Sequence, residues 1–543
     1  MGDLEFEKNA LVKAVERGLV EQARDAAELR LSTPGGRFQV RWDEGGSATA
    51  LGQLAFFAEF LEVTGVFERW TESCPMAYTS PNAPAVEDVL GTWLLSILDG
   101  QRRYAQVTAL RGDEVAPQIL GMNKIISDES LRRALAHLAP NQPQRCREEE
   151  RIRRAAQLKR STVWMDTALT ESVQEALNTP WILDCDTTIK VLYGHQDGAE
   201  VSYNPTKPGR PSHVLHTYWI GNIRLVLEVE VKNGKAHAPQ HGLPRLRALL
   251  EALLPAQRPA LVRGDNAFGN ERVMAEREDL DQAYLFKLRQ TAGVKRLIER
   301  LWARRHWPAV GHGFDAVEAA LQWAGWSRAR RVVVLRRRVK DPLLAEVDAQ
   351  GQQTLLFADT AKGKLWEYAV LVTNTDHPLE ALGQLYRDRA DCENGFDELT
   401  HQWGWGGDTT HDLERCNLSA RAVALVYNGW SWYVRLAHPQ ARREAITSRP
   451  LLLAGVARLT EHAGQARLLL TLTHAAGDPI KAMIANVRKG LDHVRATAPQ
   501  LPKRDRWRAL IRYLVAEILR LKPDKYPLPM GLPHLYRCSN AAN

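Results

Sequence analysis

The stretch Leu385–Gly407, LYRDRADCENGFDELTHQWGWGG, decides how the rest of the chain is read. Tyr386, Arg389 and Glu393 fall three and four residues apart, so one helix would stack all three on a single face. On that face Glu393 can point inward at a group that needs a carboxylate. Taken alone, the same spacing also describes a solvated helix with i,i+4 charge pairs. Two earlier segments decide between these readings. Trp181–Lys190, WILDCDTTIK, is an apolar run ending in Asp184 and Asp186. Pro259–Glu271, PALVRGDNAFGNE, is a second apolar run ending in Asp265. Each reads as a strand that delivers an acid at its end.

An acid from each of two strands, with a third from a later helix, is how an RNase H-like sheet assembles a divalent-metal site. The set resembles the insertion-sequence DDE transposases that carry a large insertion before the last acid; their Y-x2-R-x3-E signature is met by Tyr386, Arg389 and Glu393. The resemblance runs from about residue 90 to about residue 475. It implies that Asp186 (in DTT), Asp265 (in GDN) and Glu393 are the catalytic, metal-binding acids, and that Tyr386 and Arg389 contact phosphate beside the cleaved end. It also implies a cut-and-paste DNA transposase that binds terminal inverted repeats. Water would free a 3′-OH, which then attacks the opposite strand or target DNA. The family's Lys seven residues after the Glu is Thr400 here, an uncharged hydroxyl, so that contact is weaker or is supplied by another base. Asp184 shares a strand face with Asp186 and is the alternate acid should the register differ.

Three packed carboxylates repel, and burial without a counter-ion raises their pKa values. Oxygen-only ligands select Mg2+, with Mn2+ as substitute, over zinc or copper. Two ions about 3.5–4 Å apart would activate the attacking oxygen and stabilise the leaving one. By fold class Asp186 bridges the ions, Asp265 holds one and Glu393 the other. An RNase H-fold nuclease that cuts without joining, or a DNA-binding derivative that has lost catalysis, are the alternatives.

With 543 residues the chain exceeds one core of ordinary size. Its 45% hydrophobic and 25% charged residues are those of a soluble globular protein. No apolar run approaches the ~20 residues of a bilayer span, and MGDLEFEKNALVKAVERG has no apolar signal core. Six cysteines without a CxxC pair argue against zinc and a disulfide framework and fit a reducing cytosol. A bacterial, cytoplasmic, nucleoid-associated protein is expected. Net charge is +8, yet Lys287–Lys340 alone holds fourteen Lys and Arg against three acids. Such a block is the footprint of a polyanion binder, here double-stranded DNA. The resemblance adds a homodimer on paired ends.

The expected architecture is α/β, in three parts. Residues 1–178 form a mainly helical DNA-binding region. Residues 179–440 form an RNase H-like mixed sheet flanked by helices, interrupted at 290–365 by a β-rich insertion subdomain. Residues 441–543 are mainly helical. In the first part VEDVLGTWLLSILDG, RYAQVTALRGDEVAPQILG and SDESLRRALAHLAP predict helices, the last capped by Ser127 or Asp128 and exposing Arg132 and Arg133. They suggest a helix-turn-helix docked in a major groove, with an ordinary bundle as the alternative. YNPTKPGRPSHVLHTYWIG reads as an ordered loop with Lys207 and Arg210 as phosphate contacts. In the insertion LQWAGW, RARRVVVLRRRVK and QTLLFA read as strands, and WEYAVLVTN as a return to the main sheet. Arg336, Arg337, Arg338 and Lys340 there would track phosphates. Trp302, Trp307, Trp323 and Trp326 would pack the core or stack an unpaired base. CNLSARAVALVYNGWSWYVRLA predicts a long helix covering the core, and ARLTEHAGQARLLLTLTH a hairpin.

Overall fold

The computed structural model describes residues 29–40, 47–78, 80–141, 146–204, 207–236, 238–304, 306–338, 356–359, 364–407, 410–471, 475–497 and 499–521. The charged N-terminal stretch, Lys340 and the Pro-rich tail fall outside them. Residues 1–48 and 49–543 form two compact units. In the first, Leu29–Thr33 and Gly36–Val40 pair antiparallel across a tight turn, where Gly36 takes a φ of +120° that other residues rarely adopt.

The second unit is built on a mixed sheet, ten-stranded among the described residues. Its strands are β1 (Ile182–Val191), β2 (Glu200–Val201), β3 (Pro211–Ile220), β4 (Leu225–Asn233), β5 (Leu261–Gly264), β6 (Tyr284–Lys287), β7 (Phe314–Leu321), β8 (Arg330–Arg338), β9 (Leu356–Asp359) and β10 (Lys364–Thr373). Their order is β7-β8-β10-β6-β5-β1-β3-β2, with β4 also on β3 and β9 on β10. β1, β5 and β6 lie parallel and adjacent, while β3 and β4 form an antiparallel meander beside β1. The runs ILDC, LVRG and YLF, apolar apart from Asp184 and Arg263, suit strands covered on both faces, and all of these residues are buried.

The helix Leu413–Ala437 is buried along nearly its whole length and packs on β4. Asn428 accepts from the Val226 N–H (3.0 Å) and donates to the Val226 carbonyl (2.8 Å), and Asn417 accepts from the Val231 N–H (3.0 Å). Two side-chain amides thus occupy backbone groups that a further strand would otherwise claim.

Two expectations change on contact with the structure. The strands of the insertion, expected as a subdomain, join the main sheet and extend it. β10 returns antiparallel to β6, and β8 and β7 continue outward from it. β6 would otherwise leave an open edge, and burying Val332, Val333, Val334 and Leu335 on both faces of β8 makes the extension favourable. The loop reading of the segment after Tyr203 also ends at Pro211, where β3 begins. Proline is tolerated at a strand's first residue, and the following SHVLHTYWI is buried throughout. His213 and His216 serve that strand, each ring Nε2 lying 2.7 Å from a carbonyl oxygen, of Asp197 and Ala236 respectively.

N-terminal to the sheet, Val86–Leu98 is buried on almost every side. Asp128–Leu138 starts at Ser127, whose hydroxyl accepts from the Ser130 N–H at 3.2 Å, as the cap pattern predicts. The predicted hairpin is Ala457–His462 paired with Gln465–Leu470, and helices Gly477–Thr497 and Lys503–Leu521 follow. Among the described residues no helix is long and apolar enough to cross a membrane.

Candidate active site

The parallel register of β1 and β5 aligns Asp184 with Arg263 and Cys185 with Gly264. One residue on, Asp186, midway along β1, and Asp265, just past the C-terminal end of β5, stand level on neighbouring strands. The register of β5 with β6 aligns Gly264 with Phe286, so Lys287 comes level with Asp265 on the next strand. β1 continues extended beyond Asp186, whereas the backbone turns directly after Asp265. Asp186 Oδ1 accepts from the Thr187 N–H (2.8 Å), and Asp265 Oδ1 from the Ala267 N–H (2.9 Å).

The third acid arrives from a helix pair. The spacing predicts one continuous helix, but Leu379–Arg387 and Ala390–Gln402 are separate, joined by i→i−3 bonds at Arg389 and Cys392. Tightening this turn turns the Arg389 side chain into the protein. It is fully buried, its Nη2 2.7 Å from Asp186 Oδ2 and its Nη1 3.1 Å from Glu393 Oε1. Glu393 stays half exposed. The helix comes this close to the sheet because Gly395 faces Trp219 of β3. A Cβ there would sit 2.8 Å from the indole ring.

Burial pushes the Asp186 carboxyl up to about 7; Arg389 opposes this, while Asp265 and Glu393 add to it. Burial works against the Arg389 charge, yet Asp186 and Asp265 hold it firmly protonated. The Tyr386 hydroxyl is raised by burial, opposed by Lys287 and Arg389 and reinforced by Glu393 and Asp265. The three acids, Arg389, Tyr386 and Lys287 therefore share one electrostatic neighbourhood. Among the described residues no group of three or more His, Cys, Asp or Glu is arranged to hold a metal ion. The guanidinium of Arg389 is the cation that the acids hold here. The donor set itself, carboxylates level on adjacent strands with one still driven toward protonation, suits a further hard cation.

Asp184, the alternate acid, is engaged elsewhere. Both its oxygens pair with Arg263, Nε and Nη2 each at 2.6 Å, with both residues buried. Arg263 also donates to the Leu385 carbonyl and so ties β1, β5 and the segment before Arg389 together. Arg263 and Lys287 are the residues that motif reading missed. An arginine inside an apolar strand, two residues before the acid just as Asp184 stands before Asp186, was the available signal.

The other candidates are spread over the surface. Lys207 and Arg210 lie over the Tyr193 ring at 5.1 and 5.4 Å, both exposed. Arg336 is held between the rings of Trp307 (4.1 Å) and Trp366 (4.3 Å) and donates to Asp315. Arg337 pairs with Glu367, and Arg338 is exposed. Trp323 and Trp326 pack on each other at 4.8 Å, Trp307 is buried, and Trp302 is 39% exposed. Arg133 pairs with Glu129 at 2.9 Å on its own helix, while Arg132 projects beside it.

The family profile described as "Transposase DDE domain group 1" matches residues 35–492. No curated protein matches the chain. Among solved structures, the "Cryo-EM structure of piggyBac transposase synaptic complex with hairpin DNA" aligns over 89% of this chain and 87% of that one, at 12% identity and a TM-score of 0.39.

Proposed function

This chain belongs to the transposase DDE domain group 1 family, and from that premise we propose that it cleaves DNA at transposon ends and joins the freed strand to a new phosphodiester. One observation carries the assignment of the site: Asp186 and Asp265 stand level on adjacent parallel strands, with Glu393 brought to the same buried guanidinium. The core order β6-β5-β1-β3-β4, with β1, β5 and β6 parallel and β3 and β4 antiparallel, supports the RNase H-like reading.

Asp186, Asp265 and Glu393 are the residues that would hold Mg2+ or Mn2+. When bound, such ions activate the attacking oxygen and stabilise the leaving one. The chain's own groups do the rest. Arg389 keeps a buried Nε without a partner, a donor suited to a phosphate oxygen. Tyr386, with its hydroxyl held protonated, is a second donor beside it. Lys287 adds positive charge one strand beyond Asp265. Lys207, Arg210 and Arg338 are exposed and suited to contact DNA further out. The helical region up to residue 178 would grip the terminal repeat, and two copies would pair the ends.

The test is a labelled terminal-repeat duplex incubated with Mg2+ and target DNA. Nicked ends and strand-transfer products are expected from the wild type, and Asp265→Asn should lower both by roughly a thousandfold or more. Cleavage by Asp265→Asn at the wild-type rate would remove the site assignment. Nicking without any joined product would leave a nuclease.

A further inference from the structure

An open groove of ≈ 1240 Å³ runs between the N-terminal helices and the turn that follows the Glu393 helix. Arg102, Arg103, Arg132, Arg415 and His411 line it, with the Tyr104 ring on its wall. No acid lines it among the described residues. The two arginines with acidic neighbours are loosely held, Arg132 at 3.7 Å from Asp128 and Arg415 at 3.9 Å from Asp412. Contacts that long are weak, and the Arg132–Asp128 pair is also solvated, so much of the charge stays available. Arg132 also lies over the Tyr104 ring, on the groove wall, at 5.8 Å.

The glycines of the WGWGG turn create this juxtaposition. Gly404 has a φ of +92°, and a Cβ there would meet the Gln101 carbonyl oxygen at 2.7 Å. A Cβ on Gly407 would meet Arg102 Cβ at 2.5 Å. Arg102 in turn donates to the His401 carbonyl, at the C-terminal end of the helix that begins beside Glu393. Along that helix the groove starts about 12 Å from Glu393, at 1.5 Å per residue. That is about four nucleotides of B-form strand from the acids.

Resting on the transposase reading above, we propose that this groove holds the sugar-phosphate backbone of duplex DNA flanking the scissile bond, and that its arginines supply the positive charge missing at Thr400. Thr400 lies in the last turn of the same helix, and its carbonyl accepts from the Gly406 N–H of the groove-lining turn. The contact is to backbone phosphate, so it reads position and not sequence.

The test is the salt dependence of binding to a labelled random-sequence duplex, with cleavage and joining of terminal-repeat DNA read on the same preparations. Arg103→Gln, Arg132→Gln and Arg415→Gln should each lower the slope of log K against log salt by about one, with unchanged thermal unfolding. Arg247→Gln, at an exposed arginine outside the groove, should leave it unchanged. Wild-type slopes in all three groove variants, or an equal loss in Arg247→Gln, would overturn the groove. A wild-type protein that neither cuts nor joins, yet loses slope in the groove variants, would keep the groove and remove the transposase reading.

Discussion

Asp184 and Asp186 share one face of β1 and meet opposite fates. Asp184 is locked to Arg263 by two short bonds with both groups out of water. Removing one partner of such a pair leaves a buried charge, so Asp184→Asn should cost roughly 3–5 kcal/mol in chemical denaturation. Asp186 also meets a buried guanidinium, but through one oxygen and with Asp265 and Glu393 beside it, and burial pushes its carboxyl up to about 7. Its ionisation therefore opposes folding as pH rises from the ordinary carboxylate range toward 7. Asp186→Asn should cost less stability than Asp184→Asn while abolishing DNA cleavage, and the reverse order would exchange their roles. Both acids were legible because each closes an apolar run. The choice between them depended on the pairing of β1 with β5, and a register is a property of two segments that neither displays alone.

At the scale of the element, the signature spacing was legible and the helix was not continuous. Periodicity reports which residues share a face. It is blind to a tightened turn, which here sends Arg389 inward to Asp186 while Glu393 remains at the surface. What brings that helix onto the sheet is the missing side chain at Gly395. With a methyl group there, Trp219 and the helix must part by several tenths of an ångström. Gly395→Ala is expected to reduce the cleavage rate at least tenfold, a barrier change of about 1.4 kcal/mol, because small displacements of a catalytic group are costly. Substrate binding should change little. Unaltered turnover in that variant would mean that the close approach has no part in catalysis. The β-rich insertion was legible as strands, but not as an extension of the main sheet, since nothing local encodes which edge a strand will join.

For the whole molecule, element order was largely readable and the long-range ties were not. Trp432 Nε1 donates to the Ser172 carbonyl (2.9 Å), Asn428 Nδ2 to Ser172 Oγ (2.9 Å), and Trp507 Nε1 to the Glu171 carbonyl (2.9 Å). All three cross the boundary expected at residue 178, inside the compact unit of residues 49–543. A chain beginning at residue 179 should therefore lack a cooperative thermal transition, whereas one beginning at 49 should keep it. A folded, cooperatively melting 179–543 fragment would make the N-terminal helices a separable module. The way β10 re-enters beside β6 has a consequence for how such a protein can diversify. Material inserted between the second and third acids is absorbed at the rim of the sheet, as planks added to a deck.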